Sequence, residues 1–271
     1  MSFSIAGKTA IVTGAANGVG LAIGRHFIAQ GANVVFADMD EEALRREMGE
    51  LAEKEENVRT FAGDLRKKLT IKNLLSVTID AFDRVDILVN ASRQVLLTDA
   101  LSAEDNSVED LLQQNLIAGL RLSQAVARRM IKQNEKSTQD DDAGPIGSIV
   151  NISSIAARRT HPDLLAYSIS CAALDQMTRS LAVALAPKRI RVNAVAFGSV
   201  MSASLMGALK DDEETRDVII ENTPLHRIAN PGEVSDAVQY LASDAAGFVT
   251  GQIITVDGGR TLIDPAAVSA H

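Results

Sequence analysis

Short apolar runs alternate with longer stretches of helical period along most of this chain. Thr9 to Thr13 (TAIVT) is the first apolar run, and a glycine-rich turn follows it. Leu21 to Gln30 then reads as a helix stopped by Gly31. Asn33 to Ala37 (NVVFA) is a second β run, and Asp40 to Glu55 a charged amphipathic helix. Val58 to Ala62 predicts a third strand, Lys72 to Phe82 a helix, and Asp86 to Asn90 (DILVN) a fourth strand. Val108 to Lys132 predicts one long helix, Gly147 to Ile152 a fifth strand, and Tyr167 to Ala186 a helix stopped at Pro187. Ile190 to Ala196 is a sixth strand, Pro231 to Ala242 a helix, and Gln252 to Val256 a last strand.

Continuous apolar strands that alternate with helices predict βαβ units around a parallel sheet buried on both faces. Right-handed crossovers then give one α/β domain over 1–271, a Rossmann-type doubly wound sheet flanked by helices. No linker or internal repeat divides the chain. Gln133 to Pro145 is polar and acidic and reads as a solvated loop. Ser199 to Glu214 lies beyond a strand end and is the expected substrate lid.

Composition narrows the function classes. The 271 residues are 46% hydrophobic and 23% charged, an ordinary globular balance that excludes disordered and collagen-like classes. The net charge of −8 argues against nucleic-acid and anionic-membrane partners. Cys171 is the one cysteine, so neither an intrachain disulfide nor a Cys/His zinc set can form, and no metal site is expected. Without a basic leader followed by an apolar stretch, or a run long enough to span a bilayer, a cytoplasmic protein is expected.

Candidate chemistry begins at Gly14-Ala15-Ala16-Asn17-Gly18-Val19-Gly20, between the first strand and the first helix. Glycines allow a tight turn and a close approach to a pyrophosphate, which a helix N-terminus attracts; a plain capping turn needs the same small residues. Asp38 ends the second strand, where a carboxylate can accept from an adenosine ribose 2′-OH and repel a 2′-phosphate. Ala15, Ala16, Met39 and Asp40 offer no cation to hold such a phosphate, so NAD is expected rather than NADP.

The spacing Thr13-Gly14-x-x-x-Gly18-x-Gly20 resembles the short-chain dehydrogenase/reductase family, and agreement extends along nearly the whole chain. Asp64-Leu65 looks like the family's adenine-contacting pair, and Asn90-Ala91 stands at its fourth-strand position. Ser154 precedes Tyr167 by thirteen residues, Asn115 matches the helix Asn, and Val256-Asp257-Gly258-Gly259 looks like the C-terminal signature. The resemblance implies hydride transfer between nicotinamide and a secondary alcohol or ketone. Tyr167 would be the general acid/base, Ser154 would orient the substrate oxygen, and Asn115 would hold a relay water. Gly14, Asn17, Gly18, Val19, Gly20, Asp38, Asp64, Leu65, Asn90, Ala91, Tyr167, Gly198 and Val200 would contact the cofactor. A homo-dimer or tetramer acting on a small molecule is implied too.

Three motifs depart from the family. Its Tyr-x-x-x-Lys is Tyr167-Ser168-Ile169-Ser170-Cys171, and a thiol can neither bind ribose hydroxyls well nor lower a phenol's pKa as an ammonium does. Its Asn-Asn-Ala-Gly is Asn90-Ala91-Ser92-Arg93, and its Pro-Gly is Phe197-Gly198. All three fall at the nicotinamide end, so catalysis is expected to be weakened or altered. The alternative is a non-catalytic NAD-binding sensor or structural subunit. Cys171 reads either as a redox-active thiol or as a small buried helix residue. Arg93, Arg158, Arg159 and His161 lie on loops bordering the cleft. They suggest an anionic substrate, although solvated surface cations look the same in sequence. Arg158 or Arg159 is also a candidate to replace the missing ammonium.

Overall fold

Seven strands, the five inner ones largely buried, form the sheet in the computed structural model, which describes residues 2–135, 144–210 and 212–264. They are β1 (Thr9–Thr13), β2 (Asn33–Asp38), β3 (Val58–Ala62), β4 (Ile87–Asn90), β5 (Gly147–Ser154), β6 (Ile190–Phe197) and β7 (Ile253–Val256). Every pairing is parallel, in the order β3-β2-β1-β4-β5-β6-β7. The doubly wound α/β sheet predicted from the alternation is therefore the observed fold.

Both faces of the sheet are covered, which is why its strands read as continuous apolar runs rather than alternating ones. Successive side chains still point to opposite faces. Ala10, Val12, Val34 and Phe36 join one core with α1 (Gly18–Ala29), α2 (Glu41–Lys54) and the Pro231–Ala242 helix. Ile11, Val35 and Ala37 join the opposite core, against α3 (Lys68–Phe82) and the helices near Met130 and Ala182.

Several boundaries differ from the sequence reading. α1 starts at Gly18 and α3 at Lys68, each a turn before the apolar period becomes visible. The helix expected over Val108 to Lys132 is interrupted. α4 (Ser107–Leu112) passes into a π turn (Gln113–Ile117), where Ala118 N–H donates to the Gln113 carbonyl, and only then into α5 (Ala118–Gln133). A single wide turn barely alters hydrophobic spacing, so the pattern conceals it, yet it re-aims the buried Asn115. α6 (Leu165–Leu185) continues through a 3₁₀ turn over Ala186–Lys188 that contains Pro187. The expected lid segment carries α7 (Ala203–Ala208) and the start of α8 (Glu213–Glu221), both missed in sequence because neither has a strong apolar stripe. α9 (Pro231–Ala242) starts at a capping box in which Asn230 and Glu233 satisfy each other's end of the helix. Most of the expected acidic loop, 136–143, falls outside the described residues, as does His271. Among the described residues no helix is long and apolar enough to cross a membrane.

The strand order reverses between β1 and β4, and a crevice opens at their carboxyl ends, where such sheets bind ligands. α1 must lie close to the sheet for this crevice to form, and Gly24 permits it: a β-carbon there would run into the buried Phe36 ring. Gly24→Ala is expected to lower stability by roughly 1–3 kcal/mol through overpacking, read as an earlier denaturant midpoint. An unchanged midpoint would show that the helix and ring are not in contact.

Candidate active site

Thr13 ends β1 and ties the crevice together. Its hydroxyl accepts from the backbone N–H groups of Ala91 and Ser92, at 3.0 and 3.1 Å. That holds the loop after β4 against the glycine turn after β1. Gly14 has φ +63°, and a β-carbon on it would lie 2.7 Å from the Ala91 carbonyl oxygen and from Ser92 Cα. Only glycine satisfies both the left-handed backbone and the contact. Asn17 precedes α1 without its side chain capping the helix, and no acidic residue occupies the first turn, so the positive helix end stays open to the cleft.

The cleft has a volume of about 900 Å³. At one end lie Gly14, Asn17, Gly18, Val19, Gly20 and Asp38; at the other lie Ser154, Tyr167, Gly198 and Val200. Asp38 accepts from Ala16 N–H at 3.0 Å and from Asp40 N–H at 3.2 Å, so its carboxylate is fixed beside the turn. A cleft of this volume, with a glycine cradle, an open helix end and a fixed carboxylate, fits a dinucleotide. Arg66, which the sequence reading did not single out, also lines the Asp38 end. Asp64 receives both Nε and Nη2 of Arg66, at 2.9 and 3.0 Å, and that pairing holds the Asp64 carboxyl below its ordinary value. The signal was Arg66 itself, two residues beyond the Asp64 that was read.

Other expected contacts lie behind the cleft wall. Asn90 is buried and donates to Ser123 Oγ and to Asn151 Oδ1, both at 2.9 Å, joining β4 to α5 and β5. Leu65 and Asn115 line a small enclosed cavity of about 20 Å³, shared with Tyr167, Ser170 and Cys171. The Asn115 carboxamide accepts from Gln94 N–H at 2.8 Å and donates to the Gln94 carbonyl at 2.9 Å and to Ser170 Oγ at 3.2 Å. It pins the loop after β4 by both polar ends.

The two candidate reacting groups meet at the mouth of the cleft. β5 ends on Ser154, and the neighbouring Ser153 donates to the buried Asp175 of α6 at 2.6 Å, which fixes strand against helix. Tyr167, near the start of α6, is buried, and burial pushes its phenol up from 10.0 to about 12. The Arg93 guanidinium and a hydrogen bond with Ser154 pull in the opposite direction. Burial likewise pushes the Cys171 thiol up, so it is a neutral neighbour one turn along the helix.

The four cations expected at the cleft do not converge. Arg93 alone of them reaches Tyr167, donating from Nη1 to Oη at 2.6 Å. Arg158 turns to Thr255 Oγ1 at 3.2 Å and Arg159 to the Thr261 carbonyl, both towards the segment around β7. His161 stays exposed and accepts from Asp163 N–H. Arg158 and Arg159 are thus engaged with the segment around β7, and neither donates to the Tyr167 hydroxyl. Among the described residues, no cluster of three or more His, Cys, Asp or Glu is gathered to hold a metal ion.

Comparisons with known proteins agree with this geometry. Residues 14–261 match the family model described as enoyl-(acyl carrier protein) reductase. The chain is 31% identical over 259 residues to the 3-oxoacyl-[acyl-carrier-protein] reductase FabG of Thermotoga maritima, covering 94% of this chain and 98% of that one. It is similar in structure to a 7α-hydroxysteroid dehydrogenase complexed with NADH and a 7-oxo bile acid. The TM-score is 0.84 at 29% identity, with 95% and 96% of the chains covered. It is also similar to a gluconate 5-dehydrogenase from Burkholderia cenocepacia in complex with NADP and tartrate. There the TM-score is 0.83 at 27% identity, covering 97% and 98%.

The buried phenol makes stability sensitive to alkali. The unfolded chain releases the Tyr167 proton near pH 10, whereas the folded chain retains it to about 12. Folding stability is therefore fully present below pH 10 and declines as pH rises towards 12. Over that window the wild-type protein is expected to lose about 2 kcal/mol more than Tyr167→Phe. Urea unfolding of both proteins on either side of pH 10 reads the difference, and equal losses would contradict it.

Proposed function

The chain belongs to the short-chain dehydrogenase/reductase family, and from that premise we propose that it is an NAD-dependent oxidoreductase of secondary alcohols or ketones. The observation that carries the reading is the pairing of Ser154 and Tyr167 at one end of a cleft whose other end is the glycine cradle and Asp38. The coenzyme, when bound, supplies or accepts a hydride at the substrate carbon. The protein must then move one proton at the substrate oxygen, and a positioned phenol does this. Tyr167 is neutral at neutral pH, so it is ready to donate to a carbonyl oxygen, with Ser154 Oγ orienting that oxygen.

Asp38 supports NAD over NADP. Its carboxylate is held by two backbone N–H groups at the mouth of the turn, where it accepts from ribose hydroxyls and repels a phosphate. Arg66 does not reverse this, because Asp64 already neutralises it. Gly14, Asn17, Gly18, Val19, Gly20, Ala91, Gly198 and Val200 are proposed to contact the cofactor. For Asn90, Asp64 and Leu65 the assignment is to the walls that shape the site, and for Asn115 to the loop that carries Arg93. The segment over 199–214 is proposed as the lid, since Ser202 and Leu205 face the cleft. A homo-oligomer is proposed as well, on the apolar exposure of Leu165, Ile169 and Val183 along α6.

Calorimetric titration with both coenzymes, joined to a rate assay over a panel of alcohols and ketones, tests the reading. NAD binding with turnover above background is expected, and the absence of binding by either coenzyme would overturn it. Binding without turnover would instead favour a sensor or structural subunit. Asp38→Ala is expected to weaken NAD by roughly 10- to 100-fold, the worth of about 1.5–3 kcal/mol for a charged hydrogen bond, and to narrow the discrimination against NADP. Asp38→Asn keeps an acceptor for the Ala16 N–H and separates loss of charge from loosening of the turn. Unchanged affinities in both variants would remove the ribose assignment.

A further inference from the structure

Arg93 stands where two fixed points of backbone leave it little freedom. Thr13 Oγ1 holds Ala91 and Ser92 on one side, and Asn115 holds both polar groups of Gln94 on the other. From that bracket the guanidinium lies over the Phe197 ring of β6, 4.2 Å from its centroid, and over the Tyr167 ring at 5.9 Å. Its Nη1 donates to the Tyr167 hydroxyl oxygen at 2.6 Å. Among the described residues no carboxylate forms an ion pair with Arg93, so its charge reaches the phenol unneutralised. One helical turn along α6 from Tyr167, Cys171 contributes a buried, neutral thiol.

We propose that Arg93 is a positioning residue that fixes the Tyr167 hydroxyl and supplies the positive charge against which its phenolate forms. The inference rests on the reading of Tyr167 as the acid/base group. In carbonyl reduction the Tyr167 O–H bond breaks and its proton forms an O–H bond on the substrate oxygen, with the hydride at carbon coming from the reduced coenzyme. The electron pair left on Oη faces the Arg93 N–H, and solvent returns the proton. Alcohol oxidation runs the same proton the other way, onto a phenolate that Arg93 has stabilised.

The two departures at 93 and 171 become one arrangement on this account. A cation is absent from the helix side of the phenol and present on the loop side, and both positions address the same oxygen. A guanidinium suits the loop side because its plane stacks on Phe197 while its edge donates, a geometry an ammonium at that distance could not hold. A cation within ~4–6 Å lowers an acidic group's pKa by roughly 1–3 units, so the phenolate fraction at a given pH depends on Arg93 by ~10- to 1,000-fold. Burial works against it, which is why the phenol still lies high and why removal of the cation would be felt.

The chain has two tyrosines and no tryptophan, so Tyr167 can be observed directly. In a Tyr240→Phe background, fluorinated tyrosine at 167 brings the phenol's titration into a range the fold survives, and ¹⁹F NMR follows it in the full-length protein without coenzyme. Arg93→Met is expected to move the midpoint up by about one unit or more, roughly a 10-fold loss of phenolate. Arg93→Lys should recover part of the shift, and Arg93→Met with Cys171→Lys should recover it from the other side. Should Arg93→Met fail to fold, Arg93→Gln takes its place, keeping polar bulk without charge. A midpoint the same as wild type in the folded uncharged variant would overturn the proposal. With a substrate in hand, the uncharged variant should displace the pH profile of kcat and leave KM little changed. An unmoved profile would overturn the proposal with the oxidoreductase reading intact. A chain that turns over nothing would overturn that reading, while the NMR titration would still decide the coupling of Arg93 to Tyr167.

Discussion

The close approach of two main-chain segments, Gly14 after β1 and Ala91-Ser92 after β4, is the constraint on which the site depends. Parallel strands that run in opposite topological directions from β1 must part at their carboxyl ends, and the gap between them is the cleft. The Thr13 hydroxyl sets its width by accepting from two backbone donors at once. Those donors emerge from the end of a buried strand, where an unpaired N–H is costly, so the bond is stabilising as well as useful. The absence of a side chain at Gly14 lets the loop settle against the turn. From this one contact follow the position of the open helix end, the seat of Asp38 and the direction in which Arg93 leaves the loop.

At the end that holds Ser154 and Tyr167, two electrostatic effects oppose each other. The β5–α6 packing that sets Ser154 beside Tyr167 also buries the phenol, and burial disfavours its charged form. A charge must then be brought to the oxygen through the wall of the cleft, and the wall available is the loop after β4. Asn115 matters in this light through what it holds rather than what it touches. The π turn aims its carboxamide at the Gln94 backbone, and the residue next to Gln94 is the arginine. A distortion in a helix is thereby coupled to the placement of a cation one loop away.

Hydrophobic patterning revealed the five inner strands because they are largely buried on both faces, and a doubly buried strand leaves an unbroken apolar run such as DILVN or TAIVT, whereas the edge strands β3 and β7 are only partly buried. The glycine turn and Asp38 were legible because their spacing encodes backbone geometry near in sequence. The π turn was not: inserting one residue in a turn of Gln113–Ile117 shifts a helical period less than the scatter of its apolar positions. Nor was the direction of each arginine. Arg93, Arg158 and Arg159 all follow strand ends, and their different destinations are set by contacts remote in sequence, with Tyr167, Thr255 and Thr261. The short helices α7 and α8 were invisible because their sequences carry no strong apolar stripe.

The two ends of the cleft therefore differ in how much their chemistry can vary. The end at the glycine turn is built from backbone: φ-positive glycine, N–H groups at a helix start, and one carboxylate locked by two main-chain donors. Few side-chain exchanges can preserve such a geometry, because the groups that do the work belong to the chain itself. On the proposed function, the Ser154–Tyr167 end needs only a phenol, a hydroxyl and a positive charge near the phenol's oxygen, and a charge acts over several ångströms from any direction. In this chain the charge that reaches the phenol sits on the loop after β4. Cys171 is small enough to pack in a third core cluster with Leu111, Ala156, Ala166 and Tyr167, and it is neutral because burial there raises its thiol.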